Sequence, residues 1–216
     1  MAMDGMNLAS VRYEVEARLP KVMVREWRLR VEGHLACNPI TAGELDAAGI
    51  YAAEKRTNTE STAYGATLLF ILMTARFVIV GQLGDGDILW VDANGQTANA
   101  WDAIPQDSGD ATASLCMVDA WRHFLVKVVP LREQAGPPLI LASTDGYANS
   151  FVNNAEFLRI GEDYLGMMRD QGVAAVVAKL PDFLLDATRH GSGDDVTLGF
   201  IRCSEPGDPD SGTVVA

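Results

Sequence analysis

Strand-like runs stand directly beside one another in the middle of this chain, and that arrangement narrows its fold more than any other feature. Thr67–Met73 and Phe77–Val80 are apolar and partly β-branched, separated only by Thr74, Ala75 and Arg76, and Ile88–Val91 follows before an Asn94-Gly95 turn. Such spacing predicts a meander of buried strands. Further strands are expected at Ala113–Met117, Phe124–Val129, Leu139–Ala142 and Val196–Ile201, with a short turn at Asp119–His123. Strand follows strand instead of alternating with helix, so an α+β fold built on antiparallel sheet is expected, not a doubly wound parallel one.

Helices flank this block. Leu8, Val11, Val15 and Leu19, then Val24, Trp27, Val31 and Leu35, recur every three or four residues, which predicts helix over 8–35 with a kink or break at Pro20. Asn38–Ser61 reads as a connection with a weak helical patch near 47–55. Asn154–Arg169 carries Phe157, Ile160, Tyr164, Leu165 and Met168 on one face, and Val173–Leu185 continues as a second helix interrupted at Pro181.

A chain of 216 residues, 48% apolar and 21% charged, can bury a sizeable core. We expect one domain over 1–203 and an acidic, disordered tail over 204–216. The net charge of −12 repels phosphate backbones and anionic lipid, so neither nucleic acid nor membrane is an expected partner. Cys37, Cys116 and Cys203 form no CxxC pair, which argues against a disulfide framework or thiolate zinc site and favours a reducing cytoplasm. No basic segment leads into an apolar core at the N-terminus, and the longest apolar stretch, 66–80, is broken by Thr74 and Arg76. A cytoplasmic location is the expectation.

The chemistry sits in acidic turns set against the strand runs: Gly84-Asp85-Gly86-Asp87, Ser143-Thr144-Asp145-Gly146 and Gly193-Asp194-Asp195-Val196-Thr197, with Met3-Asp4-Gly5-Met6 at the start. Carboxylates delivered from strand ends into one cleft are hard oxygen ligands suited to Mg²⁺ or Mn²⁺. Brought together without cations they would repel one another. No G-x-S-x-G elbow is present, and His34, His123 and His190 lie in different segments without zincin spacing. The histidines read as surface or structural residues.

Four segments in order resemble the motif set of the type 2C family of metal-dependent serine/threonine protein phosphatases. They are Gly65-Ala-Thr-Leu-Leu, Val80-Gly-Gln-Leu-Gly-Asp-Gly-Asp, Leu139-Ile-Leu-Ala-Ser-Thr-Asp-Gly and Asp194-Asp-Val-Thr. Met3-Asp4-Gly5-Met6 resembles that family's first acidic turn. The resemblance implies a sandwich of two antiparallel β-sheets flanked by helices, with two Mn²⁺ or Mg²⁺ ions, or a third besides, at one end. Carried over, Asp4 bridges the two metals, the Gly5 carbonyl binds one, Asp145 and Asp194 hold the second, and Asp85 matches an aspartate of a weaker third site. No side chain acts as nucleophile; a metal-activated water hydrolyses phosphoserine or phosphothreonine in a protein substrate, opposite a cognate serine/threonine kinase. Gly86-Asp87 stands where the family has Ser-Arg, and Asp195 where Asn is usual. The family's earlier strands, bearing an Arg and an Asn-Glu-Asp stretch, have no counterpart before Asp4. Two alternatives follow: a start internal to a longer reading frame, or a catalytically weak or silent module that binds a phosphoprotein or regulates a kinase.

Overall fold

A computed structural model describes residues 7–47, 59–101, 112–131 and 136–203. The expectations placed on Asp4, Gly5, most of the 47–55 patch and the 204–216 tail lie outside the described residues. Among the described residues seven strands are seen: β1 (Leu68–Met73), β2 (Phe77–Leu83), β3 (Asp87–Val91), β4 (Thr97–Asn99), β5 (Leu125–Pro130), β6 (Leu139–Ser143) and β7 (Leu198–Arg202). They form two antiparallel sheets, ordered β1-β2-β5 and β4-β3-β6-β7. The helices are α1 (Leu8–Arg12), α2 (Leu19–Cys37), α3 (Ala42–Ala47), α4 (Thr59–Thr62), α5 (Asp145–Ala148), α6 (Asn154–Gln171) and α7 (Val173–Ala187).

Close contacts divide the chain into two units. One comprises residues 1–68, 81–84 and 111–128, the other 69–80, 85–110 and 129–216. In the first, Asn7 caps α1 by accepting the Ala9 N–H at 2.8 Å. A wide π turn, Tyr13–Arg18, joins α1 to α2. The expected break at Pro20 takes this form because proline donates nothing to the Glu16 carbonyl and its ring crowds that oxygen, so the preceding turn widens. Val24 of α2 packs with Leu83, Leu115 and Ala120.

Segment 113–117 is a series of turns and not the expected strand. Its alternating Ala113, Leu115 and Met117 pack into the α2 cluster, while Arg28 donates to the Met117 and Val118 carbonyls at 2.8 and 2.6 Å. A guanidinium thus occupies carbonyls that a neighbouring strand would otherwise use.

The second unit owes its layers to the two-residue repeat of extended chain. Leu89, Val91, Leu139 and Leu141 turn to one side, against Phe157, Ile160, Tyr164, Leu165 and Met168 of α6 and Val173, Val176 and Leu180 of α7. Ile88 and Ile140 turn to the other, against Val78 and Val80 of β2. Strands covered on both faces read as continuous apolar runs, which is why β2, β3 and β6 were conspicuous in the sequence. β4 has three residues and was not anticipated. Helix α7 runs through Pro181 without interruption. Pro181 is exposed, so the helix bonds forfeited there lie on its outer side and the inner contacts persist. Among the described residues, no helix is long and apolar enough to cross a membrane, and all three cysteines are free thiols.

Candidate functional site

Register in the four-stranded sheet collects the acidic turns. Asp87 at the start of β3 lies opposite Ser143 at the end of β6, and Ser143 lies opposite Leu198 at the start of β7. The turn before β3, the turn after β6 and the turn before β7 therefore emerge at one sheet edge. Asp85, Asp145 and Asp194, three of the five expected metal residues, belong to those turns. Asp4 and Gly5 lie outside the described residues.

Backbone contacts hold the turns against each other. The Thr144 N–H donates to the Thr197 carbonyl at 3.1 Å, and the Thr197 N–H donates to Thr144 Oγ1 at 2.9 Å. A Cβ on Gly146 would lie 3.0 Å from the Asp195 carbonyl oxygen and 3.2 Å from Asp194 Cβ. The chain after β6 is thus seated directly on the Asp194-Asp195 turn. A Cβ on Gly86 would lie 2.6 Å from the Ser143 carbonyl oxygen and 2.7 Å from Leu69 Cδ1, a separation real side chains do not adopt. This gives a steric reason for glycine where the family pattern has serine.

Asp145 opens α5 and is half-buried, whereas Asp85, Asp194 and Asp195 are exposed. The helix behind Asp145 is anchored by Tyr147, whose hydroxyl lies 2.9 Å from that of Tyr164 on α6. Burial raises both phenols above their ordinary pKa, so they are neutral partners. Asn149 Nδ2 approaches Asp145 Oδ2 at a long 3.5 Å, and Asp194 Oδ1 accepts the Asp195 N–H at 2.8 Å.

Asp87, absent from the expected ligands, is electrostatically the most perturbed carboxylate at this edge. Burial pushes its pKa from 3.8 up to about 6, aided by the negative charges of Asp145 and Asp85 and opposed by a 3.1 Å hydrogen bond from Asn99 Nδ2. The signal was present in the sequence: Asp87 stands in the same Gly84-Asp85-Gly86-Asp87 turn as Asp85. The histidines are engaged in pairs of their own. His34 Nδ1 lies 2.7 Å from the Tyr64 hydroxyl, His123 Nε2 3.5 Å from Asp119, and His190 Nδ1 2.7 Å from Asp186.

The donors at this edge suit hard divalent cations in kind. They are carboxylate oxygens from separate turns, and the charges of Asp145 and Asp85 add to the upward shift that burial gives Asp87. Among the described residues, no three side chains of His, Cys, Asp or Glu approach closely enough to enclose one ion.

The sequence profile of the family described as Protein phosphatase 2C matches residues 3–185. The chain belongs to the protein phosphatase 2C family. The match takes in Asp4, Gly5, Asp85 and Asp145 and ends before Asp194. No curated protein matches the chain. Solved structures similar to this type 2C phosphatase chain include the catalytic domain of the serine/threonine protein phosphatase PstP in complex with two manganese ions. That pair shares 17% identity with a TM-score of 0.44, over 82% of this chain and 78% of that one. A bacterial serine phosphatase gives 17% and 0.46, over 78% and 71%. The Mycobacterium tuberculosis phosphatase PstP/Ppp gives 17% and 0.43, over 84% and 82%.

Proposed function

We propose that this chain is a metal-dependent phosphoprotein phosphatase acting on phosphoserine and phosphothreonine. Residues 1–203 act as one catalytic domain in the cytoplasm, opposite a serine/threonine kinase. Asp145 and Asp194 hold one Mn²⁺ or Mg²⁺ ion, Asp4 and the Gly5 carbonyl complete a two-metal centre, and Asp85 serves a weaker third position. The reading rests on family membership and on one observation above all: three acidic turns distant in sequence are paired by strand register at a single sheet edge.

Divalent ions bound at such a site supply a water of lowered pKa and offset the charge of the phosphoryl group. The chain's own contribution is to bind and orient. The Asp195 N–H fixes one oxygen of Asp194, and the anchored α5 fixes the backbone from which Asp145 projects. Without cations this edge would repel a phosphomonoester dianion. The experiment is hydrolysis of p-nitrophenyl phosphate and of phosphoserine and phosphothreonine peptides, with Mn²⁺, with Mg²⁺ and with chelator. Turnover that requires the metal is expected; turnover in chelator, or binding of Mn²⁺ unaffected by Asp145→Asn with Asp194→Asn, overturns the proposal.

A second reading, a module with little turnover that binds a phosphoprotein or regulates a kinase, is favoured by Asp87, a half-buried acid where the family pattern has an arginine. Phosphopeptide binding without metal-stimulated release of phosphate distinguishes it.

A further inference from the structure

We infer that Ser150 is a positioning residue that sets the separation of the Asp145 and Asp194 turns, and so the affinity of the site for divalent cation. Neither the motif set nor the family match assigns it a role. The inference rests on the proposed metal centre for its consequence, but the clamp itself is visible in the protein alone.

Ser150 lies just beyond α5, and its Oγ sits between the two turns. It is 2.7 Å from the Gly146 carbonyl oxygen, 3.1 Å from the Ala187 carbonyl oxygen at the end of α7, and 3.1 Å from Ser192 Oγ. It also accepts the Ser192 N–H at 3.2 Å. Ser192 Oγ in turn accepts the Asp194 N–H at 3.2 Å.

A serine hydroxyl has one proton and two lone pairs. Ser150 Oγ is the donor toward the Gly146 carbonyl, the Ala187 carbonyl and Ser192 Oγ, so one proton serves three acceptors, while a lone pair receives the Ser192 N–H. Ser192 Oγ also receives the Asp194 N–H. A continuous run of hydrogen bonds therefore links the amide of Asp194 to the carbonyl one residue after Asp145 through the two hydroxyls.

Steric contact supports the same role. Gly191 approaches so closely that a Cβ there would lie 2.5 Å from Ser150 Cβ and 2.7 Å from its Oγ. The segment leading to Asp194 is therefore pressed on Ser150 as well as bonded to it. Groups that hold ligands in place without touching the metal commonly govern its affinity.

The experiment compares wild type with Ser150→Ala, Ser192→Ala and the double variant. Two readouts are used: exchange of the Asp194 amide in metal-free protein, and Mn²⁺ affinity by calorimetry. We expect faster Asp194 exchange in each variant and Mn²⁺ binding weakened about tenfold or more by either single change. The double variant should be scarcely worse than the singles, because both serines belong to one relay. Gly191→Ala supplies an independent steric disruption and should weaken Mn²⁺ in the same way. Wild-type exchange and Mn²⁺ affinity in Ser150→Ala, even with a lowered melting temperature, would overturn the inference and reduce Ser150 to ordinary packing. Faster Asp194 exchange in variants of a protein whose wild type binds no Mn²⁺ would sustain the clamp while overturning the proposed phosphatase centre.

Discussion

The two edges of the four-stranded sheet are built from the same three strands yet treat charge in opposite ways. At the edge where β6 begins and β7 ends, arginines answer carbonyls. Arg202 donates to Pro138 at 3.1 Å and to Cys203, and Arg169 donates to Ala93 at 2.9 Å. At the other edge Asp85, Asp87, Asp145, Asp194 and Asp195 gather, and the bonds seen for Asp87, Asp145 and Asp194 come from neutral donors. The first edge completes the polar groups of the fold. The second accumulates like charge, an arrangement that stability alone does not favour and that a divalent ligand relieves.

The comparison breaks most severely if the acidic edge proves indifferent to cations. Mn²⁺ should raise the melting temperature of the wild type, and Asp145→Asn with Asp194→Asn should abolish both that rise and metal-stimulated hydrolysis, the latter by more than about a hundredfold. Thermal melts with and without metal, alongside phosphatase assays, measure both. An unchanged shift in the double variant would remove the distinction between the edges.

Glycine substitutions come next. Gly86→Ala forces a Cβ against the Ser143 carbonyl and should cost about 1–3 kcal/mol of unfolding free energy. Gly166→Ala, in α6 with nothing within 4 Å of a new Cβ, should instead stabilise by roughly 0.5–1 kcal/mol. Urea unfolding of the two variants tests whether the close approach of Gly86 to the Ser143 carbonyl sets the cost; similar effects of equal sign would contradict it.

A smaller effect concerns Asp87. Its pKa rises from 3.8 to about 6 in the folded chain, so the native state holds its proton more tightly than the unfolded one. The associated stability is complete below about pH 4 and is lost as pH climbs to about 6. In chelator, Asp87→Asn should flatten that decline and gain on the order of 1 kcal/mol near neutral pH, after allowance for solvent screening. Denaturation curves between those pH values give the slope; a steeper decline in the variant would refute the assignment. Least of all, Arg169→Ala at the opposite edge should cost on the order of 1 kcal/mol and leave Mn²⁺ affinity unaltered in a binding titration.

The acidic turns were legible because turn chemistry is local. An aspartate beside glycine after an apolar run marks a strand end by itself, so Asp85, Asp145 and Asp194 could be named as candidates in advance. Two-faced burial made β2, β3 and β6 readable for the same reason. Segment 113–117 misled because alternating apolar residues signal burial on one side, and a turn packed on a helix satisfies that signal as well as a strand does. Pro181 misled because its cost depends on which side of the helix faces solvent, a property of the surroundings.

By itself, then, the sequence determined the order of the long helices and of every strand but β4, with 113–117 wrongly added, the antiparallel class of the sheets and the acidic turns that punctuate them, since each depends on neighbours within a few residues. Only the tertiary structure decided that Asp87 stands opposite Ser143 and Ser143 opposite Leu198, and with that which carboxylates share an edge. It alone revealed the desolvation of Asp87 and the Ser150 relay. Both arise between groups tens of residues apart, where strand register and burial set distance and dielectric, and no local pattern of residues encodes either quantity.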